Sequence, residues 1–520
     1  MNKLMAPEEA VKLIKDGDTV ATVGSGGGVL EPSLVLEKIE ESFLNTGHPC
    51  NMTFVHASGL GDKKATGINR FAHEKMVKRV IGGHWGWSPR MAELANENKI
   101  EAYNLPQGVM TQLYREIAAR RPGLLTHIGL KTFVDPRVEG GKLNDITKED
   151  LVELIELKGR ELLLYRSFPI NIAIIRGTTA DEAGNISMEE EPVFLEALAL
   201  AQAAKNSGGK VICQVKYLAR TNTLDPKDIK IPGILVDAIV LHNEQWQTYE
   251  GEFNPGFTGR VKVPLAQLPP MKLDERKIVA RRAAMELLPG SIVNLGFGMP
   301  DGVAAVAAEE GISDFLTLTI EQGIIGGIPA QGAIFGVATN PTAIIDEPSQ
   351  FDFYSGGGLD ITFLGLAQSD QFGNVNVSKF GRNIAGCGGF IDISQSAKKV
   401  IFCGTFTAGG LEIEISEGKL KILNEGKYKK FVKNVDQITF SGEYARETGQ
   451  KVLYVTERAV FELTEKGMTL KEIAPGIELE RDILSRMDFT PAIDRELKMM
   501  DPDIFYDIPM KLIDKIKYKQ

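Results

Sequence analysis

The 520-residue sequence predicts an α/β protein, with two homologous open α/β domains fused in one chain and an active cleft at their interface. Two internal likenesses and one argument from length carry that prediction. A helical stretch from Ala6 to Ile14 leads through a turn into Thr19-Val20-Ala21-Thr22-Val23 and the run Gly24-Ser25-Gly26-Gly27-Gly28. Far downstream, a helical stretch from Arg276 to Leu288 leads in the same way into Ser291-Ile292-Val293-Asn294-Leu295 and Gly296-Phe297-Gly298-Met299-Pro300. Later in each half a β-prone run ends in an Asp-x-x-Gly-Asn turn, Asp181 to Asn185 and Asp370 to Asn374. A further strand then opens at Lys210 and at Lys399, equally far from those aspartates. Two long copies indicate a duplicated domain, because a solenoid needs at least three repeats. The length exceeds one ordinary core, which agrees.

Taken in order, the first half spans 1–248, with strands at Thr19, Ile172 and Lys210 and a helix from Leu34 to Ser42. Residues 249–272 carry four prolines, aromatic residues and little periodicity, and read as a linker. The second half, 273–520, repeats the pattern and adds strand-like stretches from Leu420 onward and an acidic, helical tail that completes its sheet.

Composition excludes several classes. Apolar residues make up 43% and charged residues 25%, as in folded soluble proteins. The net charge of −10 comes without a basic run, which excludes nucleic acid as a partner. Cys50, Cys213, Cys387 and Cys403 are far apart, with no CxxC and no Cys/His cluster, so no metal site and no disulfide scaffold is indicated. No apolar leader opens the chain and no run of 18 apolar residues follows, so the expectation is a cytoplasmic protein that is not membrane-bound.

The reactive group is sought in Thr317-Leu318-Thr319-Ile320-Glu321-Gln322-Gly323-Ile324-Ile325-Gly326-Gly327. A carboxylate there ends a β-prone run and opens a glycine-rich loop. That is the sheet edge where open α/β proteins bind ligands, and glycine lets a large ligand approach the backbone. Glu321 is therefore the candidate. In the first half, Pro106-Gln107-Gly108 follows the strand-like run from Glu101 to Leu105 in what reads as the equivalent slot, which would bring Gln107 to face Glu321. Gly24 to Gly28 lacks the G-x-G-x-x-G spacing of a dinucleotide site and reads as a structural turn. His84, beside Trp85, reads as a structural group, Lys379 and Arg382 as solvated loop charges, and Cys387 as packing.

Gly83-His84-Trp85, Pro106-Gln107-Gly108, Phe133-Val134-Asp135-Pro136-Arg137 with Gly140-Gly141-Lys142, Glu321-x-Gly323, Gly326-Gly327, Gly356-Gly357-Gly358-Leu359-Asp360 and Gly386-Cys387-Gly388-Gly389-Phe390 occur in that order. In these residues, and over nearly the whole chain, the sequence resembles the family I coenzyme A transferases of the single-chain propionate and acetate type. It departs from them at Ile320-Glu321-Gln322-Gly323, where the wider family often has Ser-Glu-Asn-Gly. The resemblance implies transfer of coenzyme A from a short-chain acyl-CoA to a free carboxylate of the acetate, propionate or butyrate class. The route it implies is ping-pong, with Glu321 forming a mixed anhydride and then a glutamyl-CoA thioester. A carboxylate suits this because it is ionised at neutral pH and needs no general base.

By the same resemblance Gln107 and the Gly389 backbone supply oxyanion donors. Gly296, Phe297, Gly298, Met299 and Pro300, with Gly388, lie along the coenzyme. No cofactor is tightly bound, the coenzyme A thioester being substrate, and the protein is a homotetramer or other homo-oligomer. Two alternatives stand beside this reading: an acyl-CoA hydrolase on the same fold, in which water intercepts the intermediate, and a coenzyme A- or sugar-phosphate-sensing module without turnover.

Overall fold

Short β-branched runs bounded by glycine turns become parallel strands wherever helices cover both of their faces. The computed structural model, which describes residues 3–264 and 270–517, shows this twice. Its chain forms two compact units, one of residues 3–264, 320–352 and 382–392 and one of residues 270–319, 353–381 and 393–517. They do not follow the halves of the sequence, since two segments of the second half build into the first unit. Of the segment 249–272, residues 265–269 lie outside the described residues. Residues 249–264 belong to the first unit, where Tyr249 N donates to Gly27 O at 2.7 Å.

The first unit is built on a sheet of seven parallel strands: β1 (Thr19–Thr22), β2 (Met52–His56), β3 (Val77–Gly82), β4 (Glu101–Asn104), β5 (Ile172–Arg176), β6 (Lys210–Val215) and β7 (Ala238–Leu241). Their order is β7-β6-β5-β1-β2-β3-β4. The chain thus winds outward from β1 on one side, then returns beside it and winds outward on the other. Strands β2 and β5 are buried along their whole length, as double-sided burial requires. Val20, Phe54, Val80, Ile174 and Ile212 of the strands pack with Val35, Leu36 and Ile39 of helix α1 (Ser33–Thr46) in one core. Helix α1 is longer than the sequence indicates and ends at Gly47, which takes the left-handed conformation that closes helices.

The second unit carries β8 (Ile292–Leu295), β9 (Thr317–Ile320), β10 (Ile361–Gly365), β11 (Lys399–Cys403) and β12 (Lys451–Val455), paired in parallel in the order β9-β8-β10-β11-β12. Three more strands extend it: β13 (Ala459–Thr464), β14 (Gly467–Ile473) and β15 (Ala492–Met499). Part of the tail read as helical is this last strand, because the exposed edge of β14 offers it a ladder to pair with.

The duplication is visible in the turns. Asp181 accepts from Asn185 N and Nδ2, both at 2.9 Å, and Asn185 Oδ1 accepts from Gly233 N at 2.8 Å. In the other unit Asp370 accepts from Asn374 N at 3.1 Å and Nδ2 at 3.0 Å, and Asn374 Oδ1 accepts from Gly442 N at 3.0 Å. The strand order corrects one equivalence. Strand β9 lies directly beside β8, which corresponds to β1, so the first-unit counterpart of Glu321 follows β2, near Ala57. Gln107 follows β4, two strands farther out. Because each Asp-Asn turn loses two hydrogen bonds on truncation, Asp181→Ala and Asp370→Ala should each lower unfolding free energy by about 1–3 kcal/mol in denaturant titrations.

Candidate active site

Glu321 leaves β9 and is followed by a reversal that only glycine permits. Gly323 has φ of 102°, its N–H donates to Ile320 O at 3.0 Å, its carbonyl accepts from Ile345 N at 2.8 Å, and a Cβ there would collide with the Ile345 carbonyl. The reversal leaves the Glu321 carboxyl against Gly389, where a Cβ would collide with Oε2. The approach of carboxyl to backbone therefore depends on the missing side chain at 389.

Gln107 opens helix α2 (Gln107–Ala118), whose start stands at the carboxyl end of β4. Its backbone N–H donates to Gly388 O at 2.9 Å, and its side-chain Nε2 donates to Glu347 Oε1 at 2.6 Å. The amide also lies close enough to Glu321 to hydrogen-bond that carboxyl. Gln322 Nε2 reaches Glu321 Oε1 at 3.3 Å and Ser25 Oγ at 3.5 Å. The sequence thus placed Glu321, Gln107, Gly388 and Gly389 correctly in one neighbourhood, all within the first unit. The Gly24–Gly28 loop is structural here, with Gly27 leaving room for the Ala333 carbonyl. Gly296 to Pro300 belongs to the second unit. There it follows β8, with Phe297 exposed and Gly298 held by Arg276 and Asp301, whose contacts are 3.1 Å each.

Sequence reasoning missed Glu196, Glu347, Gln322 and Asp392. Asp392 accepts from Gly108 N at 3.2 Å and Val109 N at 3.1 Å, so it closes the free donors at the start of helix α2. Its place three residues after the Gly386–Gly389 loop was the available signal. Glu196 and Glu347 are isolated acidic residues far apart in sequence, and nothing in their local pattern marks them.

Electrostatics distinguish these groups. Burial pushes Glu321 up to about 7, against hydrogen bonds from Gln322 and Gln107 that pull it down. Burial raises Asp392 to about 8, opposed by the Gly108 N–H and reinforced by the charge of Glu321. Burial drives the His84 imidazole down to about 4, so it is neutral at pH 7, with Nδ1 accepting from Gly86 N at 3.2 Å. Burial lifts the Cys387 thiol far above its usual range, which leaves it inert and agrees with a packing role. A carboxylate here is desolvated, held by two amide donors and aimed at a glycine backbone, an arrangement suited to nucleophilic attack on an electrophilic carbonyl.

Infrared titration should find the Glu321 carboxyl changing charge near pH 7, and higher still in Gln322→Leu, which removes a donor to the charged form. A titration at the ordinary value of ~4.3, insensitive to Gln322, would contradict this electrostatic picture.

A sequence model of the family described as Coenzyme A transferase matches residues 4–242. The chain is 52% identical to a caffeate CoA-transferase of Acetobacterium woodii, covering 97% of this chain and 98% of that protein. It is 48% identical to the acetate CoA-transferase YdiF of Escherichia coli (strain K12), over 98% of this chain and 96% of that one. A crystal structure of the acyl-CoA transferase YdiF from E. coli O157:H7, in a thioester complex with CoA, superposes with a TM-score of 0.93 at 47% identity, covering 98% of this chain and 97% of that chain.

Proposed function

The chain belongs to the coenzyme A transferase family and is an enzyme that moves coenzyme A between an acyl-CoA and a carboxylate, and from that premise we propose that Glu321 is its nucleophile. The observation that carries the proposal is the Glu321 carboxyl lying against Gly389 with the Gln107 amide beside it. The carboxylate attacks the thioester carbonyl, and the carbonyl oxygen becomes an oxyanion that Gln107 and the Gly389 N–H stabilise. Collapse breaks the carbon–sulfur bond and leaves a mixed anhydride and CoA thiolate. The thiolate then attacks the glutamyl carbonyl of the anhydride, releasing the first carboxylate and forming a glutamyl-CoA thioester. A second carboxylate reverses both steps.

The raised affinity of Glu321 for its proton suits this chemistry. A carboxylate poorly solvated before reaction is a stronger nucleophile, while Gln107 and Gln322 keep a usable fraction ionised near neutrality. Gly296, Phe297, Gly298, Met299 and Pro300 are proposed to line the pantetheine arm, the exposed Phe297 offering an apolar surface to it. Binding energy from that arm favours the anhydride steps. The name of the 48%-identical relative supports a short-chain substrate of the acetate, propionate and butyrate class. The caffeate enzyme makes an aromatic carboxylate the specific alternative. The same reading makes the protein a cytoplasmic homo-oligomer, built from halves 1–248 and 273–520 of one lineage joined through 249–272. Among the described residues no helix is long and apolar enough to cross a membrane.

Initial-rate kinetics should be ping-pong, and Glu321→Ala should abolish transfer while changing stability by less than about 1 kcal/mol, since it removes no core contact. Gln107→Ala should lower kcat by roughly 10²–10³ with little change in KM for acyl-CoA, as for loss of an oxyanion donor. Unimpaired transfer in Glu321→Ala would overturn the assignment. A panel of acetate, propionate, butyrate, lactate, acetoacetate and caffeate acceptors tests the substrate class. Rapid thioester loss without any acceptor would favour the hydrolase instead.

A further inference from the structure

Behind Gln107, and away from the face it turns to Glu321, two carboxyl groups meet. Glu196 is 1% exposed and Glu347 is fully buried, and they lie within hydrogen-bonding reach of each other. Both oxygens of Glu196 and Oε2 of Glu347 have no donor among the described residues, while Glu347 Oε1 accepts from Gln107 Nε2 at 2.6 Å. Glu196 stands at the start of helix α3 (Ala197–Asn206) but does not cap it with its side chain. Two carboxylates cannot hydrogen-bond each other, because each only accepts. One proton between them turns the contact into an O–H···O bond.

Where that proton sits decides which way Gln107 faces. Its side-chain amide has two N–H donors and one carbonyl acceptor. With the proton between Glu347 Oε2 and Glu196, Glu347 Oε1 is a pure acceptor. One N–H of Gln107 then goes to Glu347, and the other is free to point toward Glu321. A proton on Oε1 would invert this. The amide would turn its carbonyl to Glu347, or present that carbonyl to the reacting centre as an acceptor where a donor is needed.

We propose that Glu196 and Glu347 are a positioning pair that shares one proton and thereby fixes the Gln107 amide as a donor toward Glu321. This rests on the nucleophilic reading of Glu321 and deepens it: Glu196 acts through Glu347, Glu347 acts through Gln107, and neither touches substrate. Other titratable groups face the pair from each neighbouring element. Tyr114 of helix α2 has a buried hydroxyl without a partner and lies within electrostatic range of both carboxyls. Glu321 lies within range of Glu347, and Asp392 within range of Glu321. No lysine, arginine or histidine acts on either carboxyl, so a proton is the available counter-charge.

The test compares Glu196→Gln with Glu196→Leu in full-length enzyme, with transfer rates measured from pH 6 to 9.5. In Glu196→Gln the new amide donates to Glu347 Oε2, so Oε1 stays an acceptor. The kcat should remain within about three-fold of wild type, and the acid limb should not move upward. In Glu196→Leu the buried Glu347 has no donor and keeps its own proton, free to occupy Oε1. The kcat at pH 7 should fall at least about ten-fold with KM within about three-fold, and should recover as pH rises and Glu347 ionises. Glu347→Met removes the acceptor and the titration together, so it should lose kcat without that recovery, and it tests the proposal even if Glu196→Leu fails to fold.

Equal kcat and equal pH profiles for Glu196→Gln and Glu196→Leu, or wild-type kcat in Glu347→Met, would overturn the pair. Glu321→Ala, assayed in parallel, keeps the two readings apart. If it transfers coenzyme A, the nucleophile assignment fails and the pair's role with it. If it is inactive while the Glu196 variants match each other, only the pair's role fails.

Discussion

Four carboxyl groups share one poorly solvated region of the first unit, and no cation neutralises them. Glu321, Asp392, Glu347 and Glu196 all have burial as the largest influence on their protons, and it pushes each of them upward. They cannot all be ionised together, because like charges in a medium of low polarity repel strongly. The arrangement sorts them by the donors each receives. Asp392 has the two N–H groups of a helix start, Glu321 has two amide side chains, and Glu196 and Glu347 have each other. The group with mobile amide donors and a glycine backbone beside it is the one left to react.

Holding those donors in place is the task of residues that do no chemistry. Asn104 ends β4 and donates to the carbonyls of Gly82 at 2.9 Å and Gly83 at 2.7 Å, while its Oδ1 accepts from Cys387 N at 2.9 Å. Gly388 N in turn donates to Gly83 O at 2.8 Å, and Gly388 O receives the Gln107 N–H. Gly141 O accepts from Asn104 N at 2.8 Å. The glycine-rich stretches noticed in the sequence thus form one connected brace, in which small residues let backbone groups approach closely enough to bond. Such a brace fixes Gln107 at its backbone, while the carboxyl pair fixes its amide.

Much of the fold could be read from the sequence because the same elements are written twice. The Asp181 and Asp370 turns are local, each made by residues four apart, and so leave a signature that needs no tertiary knowledge. Glu321 was legible because a strand end and a glycine loop mark a ligand-binding edge whatever the ligand. The compact units were not legible, since packing carries 320–352 and 382–392 into the first unit and no local pattern records that. Nor could spacing reveal that Gln107 comes from a strand two places beyond the counterpart of β9, because strand order is set by pairing. Glu196 and Glu347 are a contact across much of the chain, and an isolated glutamate in sequence looks like a solvated one.

The central claim is that Glu321 becomes covalently bonded to coenzyme A, and the intact mass of the protein tests it most directly. With acyl-CoA and no acceptor, the first half-reaction can run and the second cannot, so the account predicts a mass increase of one coenzyme A thioester per chain. Borohydride should convert that one side chain to an alcohol in the peptide containing Glu321. An unmodified mass under turnover conditions, or a label on any other carboxylate, would contradict it.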